Sequence, residues 1–172
     1  MTIKKTFWPE KIDLHAVALS WQLRYEPLPN NAVIALNQSD RALTFVGPIK
    51  TWDDCRPSFN QWLKQQSRRY LEPWLQKLSH DYQLIYKNLT FRGQKTVWGS
   101  CSSKKNINLN YKLLFLPARL VRYVLAHELC HIVHLDHSRR FWALVEQYEP
   151  DYARLKKELR HADHYMPEWI IK

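Results

Sequence analysis

Residues His127 to His137, HELCHIVHLDH, decide how the rest of the chain is read. His127 and His131 lie four residues apart, so on a helix both imidazoles leave one face, a turn from each other. A tetrahedral Zn²⁺ accepts one nitrogen from each at about 2.0–2.1 Å. Glu128 sits about 100° further round. That takes it off the histidine row but leaves it near enough to serve a water that the metal has acidified. Val121, Leu125, Leu129, Ile132 and Val133 gather opposite the histidines, while Leu120 and Val124 continue their row. A helix apolar on nearly every side belongs in a core. Buried histidines and a buried glutamate need partners there, and a metal supplies them.

Two further histidines compete for a third position. His134 shares the helical face of His127, but seven residues span about 10.5 Å of helix, too far for one ion unless the helix ends first. His137 stands six past His131, beyond a Leu135-Asp136 step that can turn the chain back. This is the HExxHxxGxxH spacing of metzincins, with His134 where their turn glycine would stand; Asp136 tolerates a left-handed turn better than most residues. Glu146, Glu149 and Asp151 offer a thermolysin-like carboxylate instead, in a phase that Pro150 disturbs. The spacing favours His137 as ligand and leaves His134 behind a ligand or facing substrate.

The surrounding chain supports a real core. At 172 residues it suits one compact domain, and 23 aromatic residues against three glycines favour a packed interior over linkers. We divide it into N-terminal strands (1–50), a helical region (53–80) and a metal-site half (82–160). Glu10, Lys11 and Asp13 stand where a signal peptide needs an apolar run, and no stretch approaches 18 apolar residues, so no membrane partner is expected. Cys55, Cys101 and Cys130 are odd in number and lack CxxC spacing, as befits free thiols in a reducing, cytoplasmic compartment.

The net charge of +10 is unevenly spread. No acid occurs between Asp81 and Glu128, while Lys87, Arg92, Lys95, Lys104, Lys105, Lys112, Arg119 and Arg122 all fall there. The stretch is either a solvated basic face or a positive field beside the metal, suited to nucleic acid, a nucleotide or an acidic peptide. No helix-turn-helix, zinc-finger or RNA-recognition signature accompanies it.

Val17, Leu19, Trp21, Leu23 and Tyr25 alternate with polar or small residues, predicting a half-buried strand. A turn at 28–31 and a hairpin partner at Ala32 to Leu36 follow, then a turn at Gln38 to Arg41 and a strand near Ala42 to Val46. A helical region from about Asp53 to Leu78 is expected to break or kink at Pro57 and Pro73. Ile85, Leu89 and Phe91 share a parity within 83–92. Ile107, Leu109 and Tyr111 alternate with asparagines, so 106–112 is expected to form a hairpin with KTVWGSC (95–101). Pro117 opens the metal helix. Ser138 caps a helix carrying Phe141, Trp142, Leu144 and Val145, and a polar helix (151–160) follows Pro150.

WGSC at 98–101, the strand ending Leu109-Asn110, and HELCHIVHLDHSRRFWALVEQYEPDY from His127 together resemble the YgjP-like metallopeptidases. The likeness covers roughly 15–155 and departs at Thr96-Val97, where relatives often carry a polar-basic pair. It implies an α+β, zincin-like fold related to SprT-type proteases, with a twisted, mostly antiparallel sheet packed on the HExxH helix. It also implies one catalytic zinc held by His127, His131 and His137, with Glu128 as the catalytic carboxylate.

Three histidines leave the ion's fourth position to water, the arrangement of a catalytic site. The expected activity is peptide hydrolysis with Glu128 as general base, the substrate adding to the edge of strand 95–101. His134, Tyr148 and Arg139 are candidates to stabilise the oxyanion. Asp136 or Glu146 would orient a ligand imidazole. Trp98 and Cys101 are expected as core anchors, Cys130 as a packed thiol, and His161 and His164 as solvent-facing. The alternatives are a metal-dependent nucleoside triphosphate pyrophosphatase and a nucleic-acid-associated, SprT-like protease or binding module. An all-histidine site suits Mg²⁺ or Mn²⁺ poorly, which weighs against the former.

Overall fold

A computed structural model describes residues 8–28 and 33–171. Strands β1 (Lys11–Leu14), β2 (Leu19–Pro27), β3 (Ala35–Ser39) and β4 (Ala42–Gly47) form one sheet in the order β1-β2-β4-β3. The alternation read in 17–25 is realised in β2, where Trp21 and Leu23 are buried, although Val17 belongs to a preceding 3-10 turn. The expected hairpin is displaced. The turn expected at 28–31 falls largely outside the described residues; β3 begins at Ala35 and pairs with β4 rather than β2, which runs parallel to β4. Leu43 and Phe45, both fully buried, place β4 centrally, where a strand must be bonded on both sides.

Helix α1 (Trp52–Asp81) runs unbroken through Pro57 and Pro73. Each proline removes one ladder bond. Trp52, Phe59, Trp62, Leu63, Leu71 and Leu75 are buried along the helix, and this tertiary packing outweighs the local penalty. Trp52 meets Phe45 and Trp62 meets Trp21 edge to face, at 5.7 and 5.4 Å between centroids, docking α1 on the first sheet.

A second sheet follows, so the single sheet of the sequence reading is in fact two. It consists of β5 (Asn88–Arg92), β6 (Gly99–Cys101) and β7 (Asn106–Asn110), in the order β5-β7-β6. β7 is antiparallel to β6, as expected, but parallel to β5. Ile85 lies before the strand and is exposed, and Tyr111 begins a 3-10 turn. Ile107 and Leu109 point into the core. On the other face Asn106 and Asn108 hydrogen-bond Asn88 and Thr90 across the sheet, which explains the asparagine alternation. Asn110 is buried; its Nδ2 donates to the carbonyls of Gln94 and Val97, at 2.8 and 3.0 Å, and fastens the loop leading into β6.

Four helices complete the chain: α2 (Ala118–Cys130), α3 (Arg139–Tyr148), α4 (Tyr152–Leu159) and α5 (Glu168–Ile171). Leu120, Val121, Leu125 and Leu129 of α2 are fully buried. Val133 is exposed, because the helix has ended and the extrapolated face no longer exists.

Candidate metal centre

His127 lies in the last turn of α2, and His131 closes that helix as its C-cap residue. The chain then turns and His137 returns to the same place, immediately before the Ser138 cap of α3. The turn expected at Leu135-Asp136 thus comes after a helix that has already ended at Cys130. The Nε2 atom of His127 stands 3.2 Å from Nε2 of His131 and 3.3 Å from Nε2 of His137. Nitrogens held by one tetrahedral ion at about 2.0–2.1 Å are about 3.3–3.4 Å apart. The spacing therefore fits a single ion.

The hydrogen bonds point the same way. His131 Nδ1 lies 2.9 Å from the carbonyl of His134. A carbonyl only accepts, so Nδ1 carries the proton and the neutral ring turns a bare Nε2 lone pair inward. His134 thus serves the cluster through its backbone; Asp136 and Glu146, expected in that orienting role, are exposed, and Asp136 accepts from Ser138 N instead. His127 Nδ1 is buried without a partner, so packing must orient this ring. Phe141 supplies it, stacked on His131 at 4.3 Å and edge-on to His127 and His137 at 4.9 Å each. Trp142 stacks on His137 at 5.6 Å. Burial pushes the His127 pKa down to about 3, with repulsion from His131 and His137 adding to it, and burial lowers His131 too. Both rings are kept unprotonated, the form a metal requires.

Glu128 is buried, with Oε2 lacking any partner. Burial pushes its pKa up to about 8; a cation alongside would favour the carboxylate and oppose that shift. Its side chain lies against Gly99 of β6, where an added Cβ would meet Oε1 at 2.7 Å. A cleft of about 440 Å³ opens beside this contact of β6 with α2, with Glu128 and all three histidines in its wall. Three imidazoles converging from an apolar helix and the turn after it, with an unpartnered carboxylate beside a cleft, are the kit of a metal-dependent hydrolase.

Residues 18–162 match the family model described as YgjP-like, metallopeptidase domain. The chain belongs to this family. Among solved structures it is similar to the metallopeptidase zymogen of Pyrococcus abyssi abylysin, at 26% identity and a TM-score of 0.46, over 51% of this chain and 90% of that one. No curated protein matches it.

In this YgjP-like chain the other candidates fare unequally. Tyr148 stacks on Tyr82 at 3.8 Å and donates to the Tyr82 carbonyl. Neither Tyr148, Arg139 nor His134 lines the cleft, so none is placed to meet an oxyanion. Glu149 is buried in an ion pair with Arg122 at 2.5 Å; Glu146 and Asp151 are exposed. Cys130 is fully buried, while Trp98 and Cys101 are partly buried, packed against the core and also lining the cleft. Burial and the nearby Glu128 charge push the Cys101 thiol up to about 11. His161 and His164 are exposed, as expected.

Tyr123 is the residue the sequence reading missed. One turn before His127 on the histidine row, it lines the cleft and the adjoining cavity. Burial, then the Glu128 charge, pushes its pKa up to about 12, so the hydroxyl remains a donor. The i−4 spacing from His127 was the available signal.

No helix among the described residues is long and apolar enough to cross a membrane. The basic run between 82 and 127 is not one surface. Arg119 pairs with Glu158 and Arg122 with Glu149. Lys87, Lys104 and Lys105 sit where β5 and β7 begin, whereas Lys95 and Lys112 follow their far ends.

Proposed function

We propose that the chain is a zinc-dependent peptidase in which His127, His131 and His137 hold the ion and Glu128 is the general base. The observation that carries this reading is the approach of His131 and His137 Nε2 to His127 Nε2 at tetrahedral spacing, in one three-histidine cluster, beside a buried, unpartnered carboxylate. Bound zinc would acidify a water and polarise the scissile carbonyl. The Glu128 carboxylate takes the proton and returns it to the leaving amine. The tight seat against Gly99 limits where that carboxylate can go, which keeps proton transfer local.

The peptide aligns along β6, an edge strand. Asn110 N donates to Trp98 O and Ser102 N to Asn106 O, so Trp98, Ser100 and Ser102 spend their backbone groups on β7. By alternation the N–H and C=O of Gly99 and Cys101 face the other way and are available to an added strand. Tyr123 supplies the hydroxyl for the oxyanion. Three free thiols accord with a reducing, cytoplasmic setting.

Cleavage of an unstructured peptide by zinc-loaded protein tests the proposal. Activity should vanish on chelation and in Glu128→Gln, which should keep its zinc. Pyrophosphate release from nucleoside triphosphates, with peptides untouched, would overturn it in favour of a phosphohydrolase.

A further inference from the structure

A second cavity, of about 1100 Å³, opens from His127 and His137 and extends past Trp142 to the ends of β5 and β7. Arg56, Lys95, Lys112, Lys156 and Arg160 line it, against one acid, Asp163. Among the described residues Arg56 is paired, with Asp53 at 2.7 Å. Among the described residues no carboxylate pairs with Lys95, Lys112, Lys156 or Arg160.

The cations lie close enough to feel one another. Burial lowers the pKa of Lys112, and the Arg56 and Lys95 charges push it the same way against Asp163. Lys156 lies 3.8 Å over the Trp142 ring, the ring that also stacks on His137. The positive charge therefore begins beside the metal ligands and continues away from them. Elsewhere Arg119 and Arg122 are neutralised by Glu158 and Glu149, so the cavity keeps a surplus that this part of the surface lacks. Concave, low-dielectric walls strengthen such a field.

We propose that this cavity binds carboxylate groups of the substrate on one side of the scissile bond, making acidic peptides the preferred substrate class. The inference rests on the peptidase reading of the metal centre. A peptide fits better than a nucleic acid because the charges line a recess shared with apolar walls, Val97, Leu159 and Ile170 among them, rather than an exposed stripe. The carboxylate has two possible sources, an Asp or Glu side chain and a free C-terminus.

Binding and cleavage are measured on the same labelled peptides with the zinc-loaded full chain. One peptide is neutral and amidated, one carries internal glutamates and an amide, and one is neutral with a free C-terminus. A carboxylate-bearing peptide should bind about ten-fold tighter than the neutral amide, and which one gains identifies the source. The gain should shrink in Lys112→Gln and in the exposed Lys95→Gln, and persist in Lys104→Gln at the opposite end of the sheet. Equal binding and cleavage of all three peptides would overturn the inference while leaving the peptidase intact. Lysine-dependent binding without cleavage would support the cavity's role and sink the peptidase reading. A single-stranded oligonucleotide binding more tightly than any peptide, with steep salt dependence, would replace the carboxylate by phosphate and overturn the proposal.

Discussion

Gly99 on β6 and Glu128 on α2 touch so closely that a single methyl at Gly99 would stand 2.7 Å from Oε1 and 2.8 Å from Cγ of the carboxylate side chain. Something must move, and the side chain in the way is Glu128, buried on the helix that carries His127. Overpacking of this kind costs about 1–3 kcal/mol, and the simplest relief is a displaced carboxylate. Gly99→Ala should keep its zinc and lose about ten-fold or more in peptide cleavage. Zinc analysis alongside steady-state kinetics checks this, and full activity in the variant would show that the seat against Gly99 does not position the carboxylate.

His134 and His137 separate a backbone role from a side-chain role. His137 presents Nε2 to the cluster, whereas His134 presents its carbonyl to His131 Nδ1. His137→Ala should therefore lose zinc at concentrations that saturate the parent. His134→Ala keeps the carbonyl, and its affinity should stay within about ten-fold, the low end of what loss of an orienting partner produces. Competition with a chelator measures both. The opposite ranking would reassign the third ligand.

Much of the centre was legible because its information is local. The i, i+4 spacing of His127 and His131, the apolar run before them and the Ser138 cap each act within a turn or two of the chain, and α2 and α3 begin where those signals stand. What failed depended on distant partners. The pairing of β2 with β4 is set by the sheet as a whole, and no local pattern distinguishes it from a hairpin. Pro57 and Pro73 read as breaks because propensity ignores the aromatic face that docks α1. Tyr123 is not legible because one more aromatic on an apolar helix resembles core, and only the packed fold shows that it lines the cleft. Glu149 looked like a possible ligand until Arg122, 27 residues earlier, proved to be its partner.

Acid–base linkage offers a test that needs no substrate. In chelator-treated protein, burial holds Glu128 near 8, above its ordinary 4.5, and His127 near 3, below its ordinary 6.5. Between pH 6.5 and 8 the native Glu128 keeps a proton that the unfolded chain has released, so stability falls as pH rises. His127 acts oppositely, adding stability as pH climbs from 3, but that gain is complete by about 6.5. The metal-free protein should lose on the order of 1–2 kcal/mol from pH 6.5 to 8. Glu128→Gln should flatten the slope, and so should zinc, whose charge favours the ionised carboxylate. Urea midpoints across the range decide it. An unchanged slope in Glu128→Gln would mean that another group is responsible.

Ser138 ties the stability of α3 to the position of the third histidine. Its Oγ accepts from Phe141 N, and its own N–H lies against the Asp136 carboxylate, so the turn bearing His137 is fixed on its C-terminal side. Removing such a cap typically costs about 1 kcal/mol, equivalent to a few degrees in Tm for a chain of this size. Fraying the first turn would also loosen Phe141, the ring packed against all three imidazoles. Ser138→Ala should therefore lower both the metal-free Tm and zinc affinity, the latter several-fold, and Ser138→Asp, an equally good cap, should restore both. Calorimetry of the metal-free and zinc-titrated variants measures the two effects separately. A fall in Tm with zinc affinity untouched would show that the position of His137 does not depend on the cap.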